Sequence, residues 1–225
     1  MIMSDLRTIR VTGKGRIRIK PDMTRITLTL EGTSPEYGET LQRSTKETGQ
    51  IRELLTCFGF EPSDLKTLQF SVDTEYESFE ENGIYKQRFA GYRFHHLMKI
   101  EFDSDNDRLG RILFALAACP ANPEFRLSYT VRDPEAAKNK LLAEAVSDAK
   151  EKAAVLAQAA GVALKEIQSI DYSWGEIDFE VRPVNRMRMA DAAAPMAAKA
   201  AGFDMDIEPD EIEAEDTVTV IWEIR

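Results

Sequence analysis

The chain has two histidines, His95 and His96, and they are adjacent. They sit in a segment where apolar residues recur every second position, and neighbours on such a strand point to opposite faces. Regular strand geometry therefore cannot bring both rings to one metal. His96 shares its face with Tyr92, Phe94, Met98, Ile100 and Phe102, which makes it a packed core imidazole. His95 shares its face with Arg93, Lys99 and Glu101, which leaves it facing solvent or paired with a carboxylate. Ser, His and Asp all occur in the chain, but nothing in their spacing marks a nucleophilic triad.

Acidic clusters offer a second kind of chemistry. Asp103-Ser104-Asp105-Asn106-Asp107-Arg108 begins like a calcium loop, yet Arg108 stands at the turn glycine and Phe114 at the bidentate glutamate. The same residues suit a helix N-terminus, where carboxylates accept backbone N–H bonds and oppose the dipole. Asp204, Asp206, Glu208, Asp210, Glu211, Glu213, Glu215 and Asp216 form an acidic approach to the last strand. A weak cation site there would require converging oxygens. Gly13-Lys14-Gly15 is not a phosphate loop, because its spacing is wrong and no Ser or Thr follows the lysine. Cys57 and Cys119 lie near the ends of two predicted helices and read as inert core thiols. No catalytic, cofactor-binding or metal-binding residue is assigned, and no cofactor is expected.

Charge rows are the remaining candidates. Arg10, Lys14, Arg16, Arg18 and Lys20 all hold even positions of one strand and so make a basic stripe. Asp73, Glu75 and Glu77 make a one-sided acidic row. Pairing of the two rows, across strands or between subunits, is the structural reading. An anionic ligand on the basic row is the functional alternative.

Composition bounds these options. The 225 residues carry 29 Lys and Arg against 39 Asp and Glu, a net charge of −10. That balance argues against nucleic acid, whose nonspecific affinity comes from excess positive charge. No apolar run approaches the ~20 residues of a membrane-spanning helix. The N-terminal residues show no basic and apolar leader pattern, so a cytoplasmic protein is expected as written.

The elements that must position these residues are legible from periodicity and capping. Ile9, Val11, Ile17 and Ile19 alternate along a first strand, Thr8 to Lys20. Gly13 and Gly15 on its apolar side point to a bulge or a close approach by another backbone. Pro21-Asp22 and the alternating Ile26, Leu28 and Leu30 predict a hairpin. Ser34-Pro35 opens a helix striped by Tyr37, Leu41, Thr48, Ile51, Leu55 and Phe58 and closed by Gly59. Leu68, Phe70 and Val72 alternate in a strand that turns at Asn82-Gly83 into the long histidine-bearing strand. A short helix spans Asp105 to Ala118, and Phe125, Leu127, Tyr129 and Val131 follow as a strand. Asp133-Pro134 caps the longest helix, which stops at Gly161 and carries Leu141, Leu142, Ala145, Val146, Ala149, Ala153, Leu156 and Ala157. Ile170, Tyr172 and Trp174, then Val218, Val220, Trp222 and Ile224, complete the strands.

The order ββαββαβαββ predicts an α+β fold: a mainly antiparallel sheet with helices packed on one face, in two related halves of a single domain over 1–225. Residues 179–208 form a long connection with Arg182, Arg186 and Arg188, Met187, Met189 and Met196, and an alanine-rich run from Ala190 to Ala201. A connection of that length is either mobile or committed to a partner. Methionines suit adaptable contacts.

Several segments resemble, in order, the bacterial SIMPL-domain family. They are Ile9-Arg10-Val11-Thr12-Gly13-Lys14-Gly15 with Pro21-Asp22, and Gly91-Tyr92-Arg93-Phe94-His95-His96-Leu97. The alanine helix Ala145, Ala149, Ala153, Leu156, Ala157 and Gly161 follows, then Ile207-Glu208-Pro209-Asp210 with Val218-Thr219-Val220-Ile221-Trp222. Pro209-Asp210 stands where that family favours Pro-Gly, and Ala163-Leu164-Lys165 where it has Leu-Gly. The resemblance implies an envelope-associated protein, in some members a ring or channel-like oligomer or one linked to oxidative-stress defence, with no catalytic residues to carry over. The expectation is a non-enzymatic homo-oligomer of unknown biochemical role. Its interface is expected at Arg10, Lys14, Arg16, Arg18, Lys20, Arg186, Met187, Met189 and Met196. A small-ligand binder or an unrecognised hydrolase, using a cleft beside the 179–208 loop, is the alternative.

Overall fold

A computed structural model describes residues 7–81, 83–172, 177, 179–182 and 208–225. Its elements are β1 (Thr8–Ile19), β2 (Met23–Ser34), α1 (Tyr37–Thr56), β3 (Lys66–Glu81), β4 (Ile84–Asp103), α2 (Asn106–Ala117), β5 (Glu124–Thr130), α3 (Pro134–Ala160), β6 (Leu164–Asp171), β7 (Glu180–Val181) and β8 (Ile212–Ile224). The fold is α+β with antiparallel sheets, as the periodicity predicts, and β7 is a short addition to the expected order.

The chain divides into two compact units. One holds β1, α3, β6, β7 and β8, and the other holds β2, α1, β3, β4, α2 and β5 as far as Tyr129. In the first unit the strand order is β1-β8-β6, and in the second it begins β3-β4-β2-β5. The expected β1–β2 hairpin does not form. β1 pairs with β8, Thr8 opposite Glu223 through Ile19 opposite Ile212. β2 pairs with β4, Met23 opposite Asp103 through Ser34 opposite Tyr92. Pro21-Asp22 is thus the point where the chain leaves one sheet for another, a role that local turn chemistry does not distinguish from a hairpin turn.

In the first unit α3 packs on β1 and β8. Asp133 caps it by accepting from the Ala136 N–H at 2.8 Å, and Gly161 closes it at φ 67°. Its buried side chains are Ala137, Leu141, Ala145, Ala149, Ala153 and Ala157, one every four residues along a single face. Gly13 and Gly15 receive that face. A Cβ on Gly13 would lie 2.0 Å from the Ala145 carbonyl oxygen, and one on Gly15 would lie 2.2 Å from that of Leu141. The close backbone approach is the reading of the two glycines that holds. Val11, Val218, Val220 and Trp222 complete the core around Ala145, Ala149 and Ala153.

In the second unit β2 contributes Ile26, Leu28 and Leu30, β4 contributes Phe94, Met98 and Ile100, and α1 and α2 cover them with Ile51, Leu55, Leu109, Ile112 and Leu116. Burying side chains of this size supplies ~1.5–3 kcal/mol each. Ser34 does not cap α1. It ends β2 opposite Tyr92, and Glu36 holds the N-cap position without a side-chain cap. The buried stripe of α1 is also more polar than expected: Thr40, Ser44 and Thr48 precede Ile51 and Leu55, while Tyr37 is half exposed. Small hydroxyl residues fit because their oxygens are satisfied: Thr40 Oγ1 donates to the Glu36 and Tyr92 carbonyls at 3.0 and 3.2 Å.

Two strands differ from expectation. Leu68 and Phe70 are about half exposed: a bulge between Thr67 and Gln69 leaves Leu68 without a partner on β4, and Phe70, opposite His96, lies on β3, the edge strand of the sheet among the described residues. The acidic approach to the last strand is itself strand from Ile212 onward, since Ile212 and Ala214 are buried between the exposed carboxylates. β6 ends at Asp171, and Trp174 lies outside the described residues.

Candidate functional site

The basic row lies on the β1 face turned away from α3. Its partners belong to the same sheet rather than to Asp73, Glu75 and Glu77. Arg10 reaches Asp171 at 3.4 Å, Lys14 reaches Glu215 at 2.5 Å, and Arg18 reaches Glu213 at 2.8 Å. Arg16 also grips Glu215. Hydrogen bonds from Lys14 and Arg16 hold the Glu215 carboxyl below its ordinary range. These are solvent-exposed ion pairs of the screened, weakly stabilising kind. Lys20 is exposed just beyond β1. Arg186, Met187, Met189 and Met196, the rest of the expected interface, lie outside the described residues, as does most of 179–208.

The two histidines divide as their faces predict. His96 is buried, with Nδ1 3.1 Å from Thr48 Oγ1 and Nε2 2.9 Å from Thr67 Oγ1. Burial, then the nearby charges of Arg52 and His95, lower its pKa from the ordinary value. His95 is partly exposed, with Nε2 3.6 Å from Glu31. The imidazole of His96 thus ties α1 to β3 and β4. The calcium-like segment is a helix cap: Asp105 accepts from the Arg108 N–H at 2.9 Å. The Arg108 guanidinium donates to the Phe58 carbonyl at 2.8 Å and stacks over Phe60 at 4.3 Å. Among the described residues no group of three or more His, Cys, Asp or Glu could hold a metal ion. Cys57 is exposed at the end of α1, against expectation, and Cys119 is buried. Cys57 reaches the surface because it follows the last buried position of that helix, Leu55.

On α3, an open groove of about 400 Å³ is lined by Val11, Asp148, Glu151, Lys152, Val155 and Leu156. Asp148 is already engaged, accepting from the Lys14 N–H at 2.6 Å and from Lys152 at 2.7 Å. It caps a backbone donor on the outer edge of β1.

The surface that stands apart is the far end of β3 and β4, which single-residue motifs do not reveal. β4 pairs with β2 from Asp103 to Tyr92, so beyond Gly91 β3 is its one strand neighbour among the described residues. The register runs from Tyr76 opposite Phe89 to Glu81 opposite Ile84. Every described side chain of this arm from Tyr76 to Glu80 and from Ile84 to Phe89 is exposed. Tyr76, Phe79, Ile84, Tyr85 and Phe89 are 54, 37, 62, 78 and 49% exposed. On one face an aromatic row passes from Tyr37 to Tyr92, Phe89 and Tyr76, with edge-to-face centroid distances of 5.4, 5.3 and 6.0 Å. On the other face Arg88 lies 5.8 Å above Phe79 and bonds Glu77 at 2.9 Å. A signal was present: apolar residues flank Asn82-Gly83 over more residues than the 12 of β2 can pair.

The family model for SIMPL, a protein of unknown function (DUF541), matches residues 9–222. The chain belongs to the SIMPL family. It is 22% identical over 213 residues to the uncharacterized protein YggE of Edwardsiella ictaluri (strain 93-146), covering 95% of this chain and 85% of that protein. A solved structure, CutA from Synechococcus elongatus PCC7942, is 12% identical with a TM-score of 0.21, covering 57% of this chain and 95% of that one.

Proposed function

We propose that this SIMPL-family protein is a non-enzymatic, self-associating protein and that the β3–β4 arm is its association surface. The observation that carries the reading is the concentration of exposed Tyr76, Phe79, Ile84, Tyr85 and Phe89 on a ribbon two strands wide. A lone two-stranded ribbon is marginally stable in water, and contiguous exposed apolar surface marks a contact site. In the basic row Arg10, Lys14, Arg16 and Arg18 pair with Asp171, Glu213 and Glu215 of their own chain. Among the described residues no helix is long and apolar enough to cross a membrane. A stress-related cellular role is supported by the family resemblance alone.

Size-exclusion chromatography with light scattering tests the proposal. The full chain at micromolar concentration is expected to run as a discrete oligomer. The variant Phe79→Ser/Tyr85→Ser/Phe89→Ser is expected to run as a monomer with unchanged circular dichroism. A monomeric wild type overturns the reading.

A further inference from the structure

The arm has two edges of opposite charge. From Thr67 to Glu81 the β3 sequence holds Asp73, Glu75, Glu77, Glu80 and Glu81 and no Lys or Arg. From Ile84 to Lys99 the β4 sequence holds Lys86, Arg88, Arg93 and Lys99 and no Asp or Glu. Each strand also has an open side. β3 ends the strand order, so its outer edge pairs with no strand among the described residues. β4 loses β2 beyond Tyr92, so among the described residues Ile84–Ala90 has no strand on its second edge, on the opposite side of the ribbon.

Unpaired edges of this length are templates for strand addition, in which backbone bonds give affinity and side chains select the partner. Charge decides among the pairings a second copy can make. β3 against β3 sets carboxylates beside carboxylates, and β4 against β4 sets Lys86 and Arg88 beside their equivalents. Like charges directly across a ladder destabilise it and opposite charges support it. β3 of one copy against the open β4 edge of another is the arrangement that sets unlike rows together. Within one chain the same rule already operates, with Glu77 paired to Arg88 and Glu75 to Arg93, the latter at 3.9 Å. Adding β4 of a second copy to β3 continues that acid–base alternation across the joint. It also lays the exposed apolar side chains of the two arms beside one another, since neighbouring strands lie ~4.8 Å apart.

Resting on the self-association reading, we propose that the arms join head to tail: the acidic outer edge of β3 in one copy adds to the basic open edge of β4, Ile84–Ala90, in the next. Such a contact uses two different surfaces, so repetition closes a ring or extends a chain rather than stopping at a two-fold dimer.

Row reversal in the full chain tests this by sedimentation equilibrium at fixed low salt. One variant carries Glu77→Lys and Glu80→Lys, a second carries Lys86→Glu and Arg88→Glu, and a third carries all four. Each of the first two sets like charges across the joint and is expected to raise the dissociation constant by about tenfold or more. The third restores unlike rows within and between chains and is expected to associate as the wild type does. Mixing the first two also restores association, because each supplies the edge that the other lacks. A wild type that is monomeric defeats the self-association reading. A wild-type oligomer that Lys86→Glu/Arg88→Glu leaves unchanged, or reversed variants that do not rescue one another, overturns head-to-tail pairing alone. Loss of association in the Phe79/Tyr85/Phe89 triple variant together with indifference to charge reversal assigns the contact to the arm faces instead.

Discussion

Helix α3 lies on β1 with its backbone against Gly13 and Gly15, whereas α1 lies on β2 and β4 through hydroxyls, an imidazole and large aliphatic side chains. The α3 interface is made of absences. Alanines every four residues meet glycines on alternate positions, and no side chain separates the two backbones there. Little can adjust in such a contact, because the nearest atoms are carbonyl oxygens and amide nitrogens rather than the ends of flexible chains. The α1 interface is made of volume and hydrogen bonds. Ile51 and Leu55 fill one end, and Thr40 and Thr48 anchor the other. The lesson is that equal burial can conceal very different tolerance: the first interface is limited by space, the second by partners.

The largest expected effect is at Gly13. Its added Cβ would meet Ala145 O at 2.0 Å and Ala149 N at 2.4 Å, so either the helix or the strand must move. Overpacking costs ~1–3 kcal/mol in ordinary cores, and a backbone neighbour places Gly13→Ala at about 3 kcal/mol or above. Urea unfolding measures it. A midpoint equal to that of the wild type would show that α3 does not approach β1 as closely as described.

The next effect is at His96 and tests the hydrogen-bonded half of the α1 interface. His96→Ala removes a buried ring and leaves Thr48 and Thr67 without their nitrogen partners, a loss of ~1–3 kcal/mol. His95→Ala, at a partly exposed position beside Glu31, is expected to cost much less. The pH dependence follows from burial. The folded-state pKa of His96 lies below its ordinary 6.5, so the unfolded chain takes up the proton first as pH falls. Stability from neutral His96 is complete above that ordinary value and declines as pH drops from it toward the folded-state pKa. Between pH ~8 and pH ~5.5 the wild type should therefore lose more stability than His96→Ala does. Identical losses would remove His96 from the account.

These two interfaces also mark what was legible beforehand. α3 could be read almost to its ends, because Asp133, Pro134 and Gly161 are local signals and the alanine face repeats within one helix. The assignment of His95 and His96 to opposite faces needed only the two-residue period of β4. The partner of β1 was not legible. β8 lies about two hundred residues away in the chain, as in Thr12 opposite Thr219, and nothing local to Pro21-Asp22 distinguishes a turn from a crossing between sheets. The same blindness hid the Glu213 and Glu215 ladder, whose acidity resembles a solvated linker until Arg16 and Arg18 stand opposite it. The arm escaped for another reason: Asn82-Gly83 marks an ordinary hairpin, and only the shorter length of β2 reveals that the ribbon projects beyond its sheet.

The smallest expected effect reverses the sign of the first. Gly49 lies in the middle of α1, and a Cβ there would meet nothing within 4 Å. Glycine in a helix interior costs ~0.5–1 kcal/mol relative to alanine, because its unfolded backbone has more freedom to lose. Gly49→Ala is therefore expected to raise stability by about that amount. The same chemical change thus destabilises at Gly13, where the helix backbone occupies the space, and stabilises at Gly49, where the space is open. Measured side by side, the two variants isolate close approach from glycine content. If Gly49→Ala also destabilised, α1 would have to be held by a contact at that position as tight as the one beneath α3, and the contrast between the two interfaces would fail.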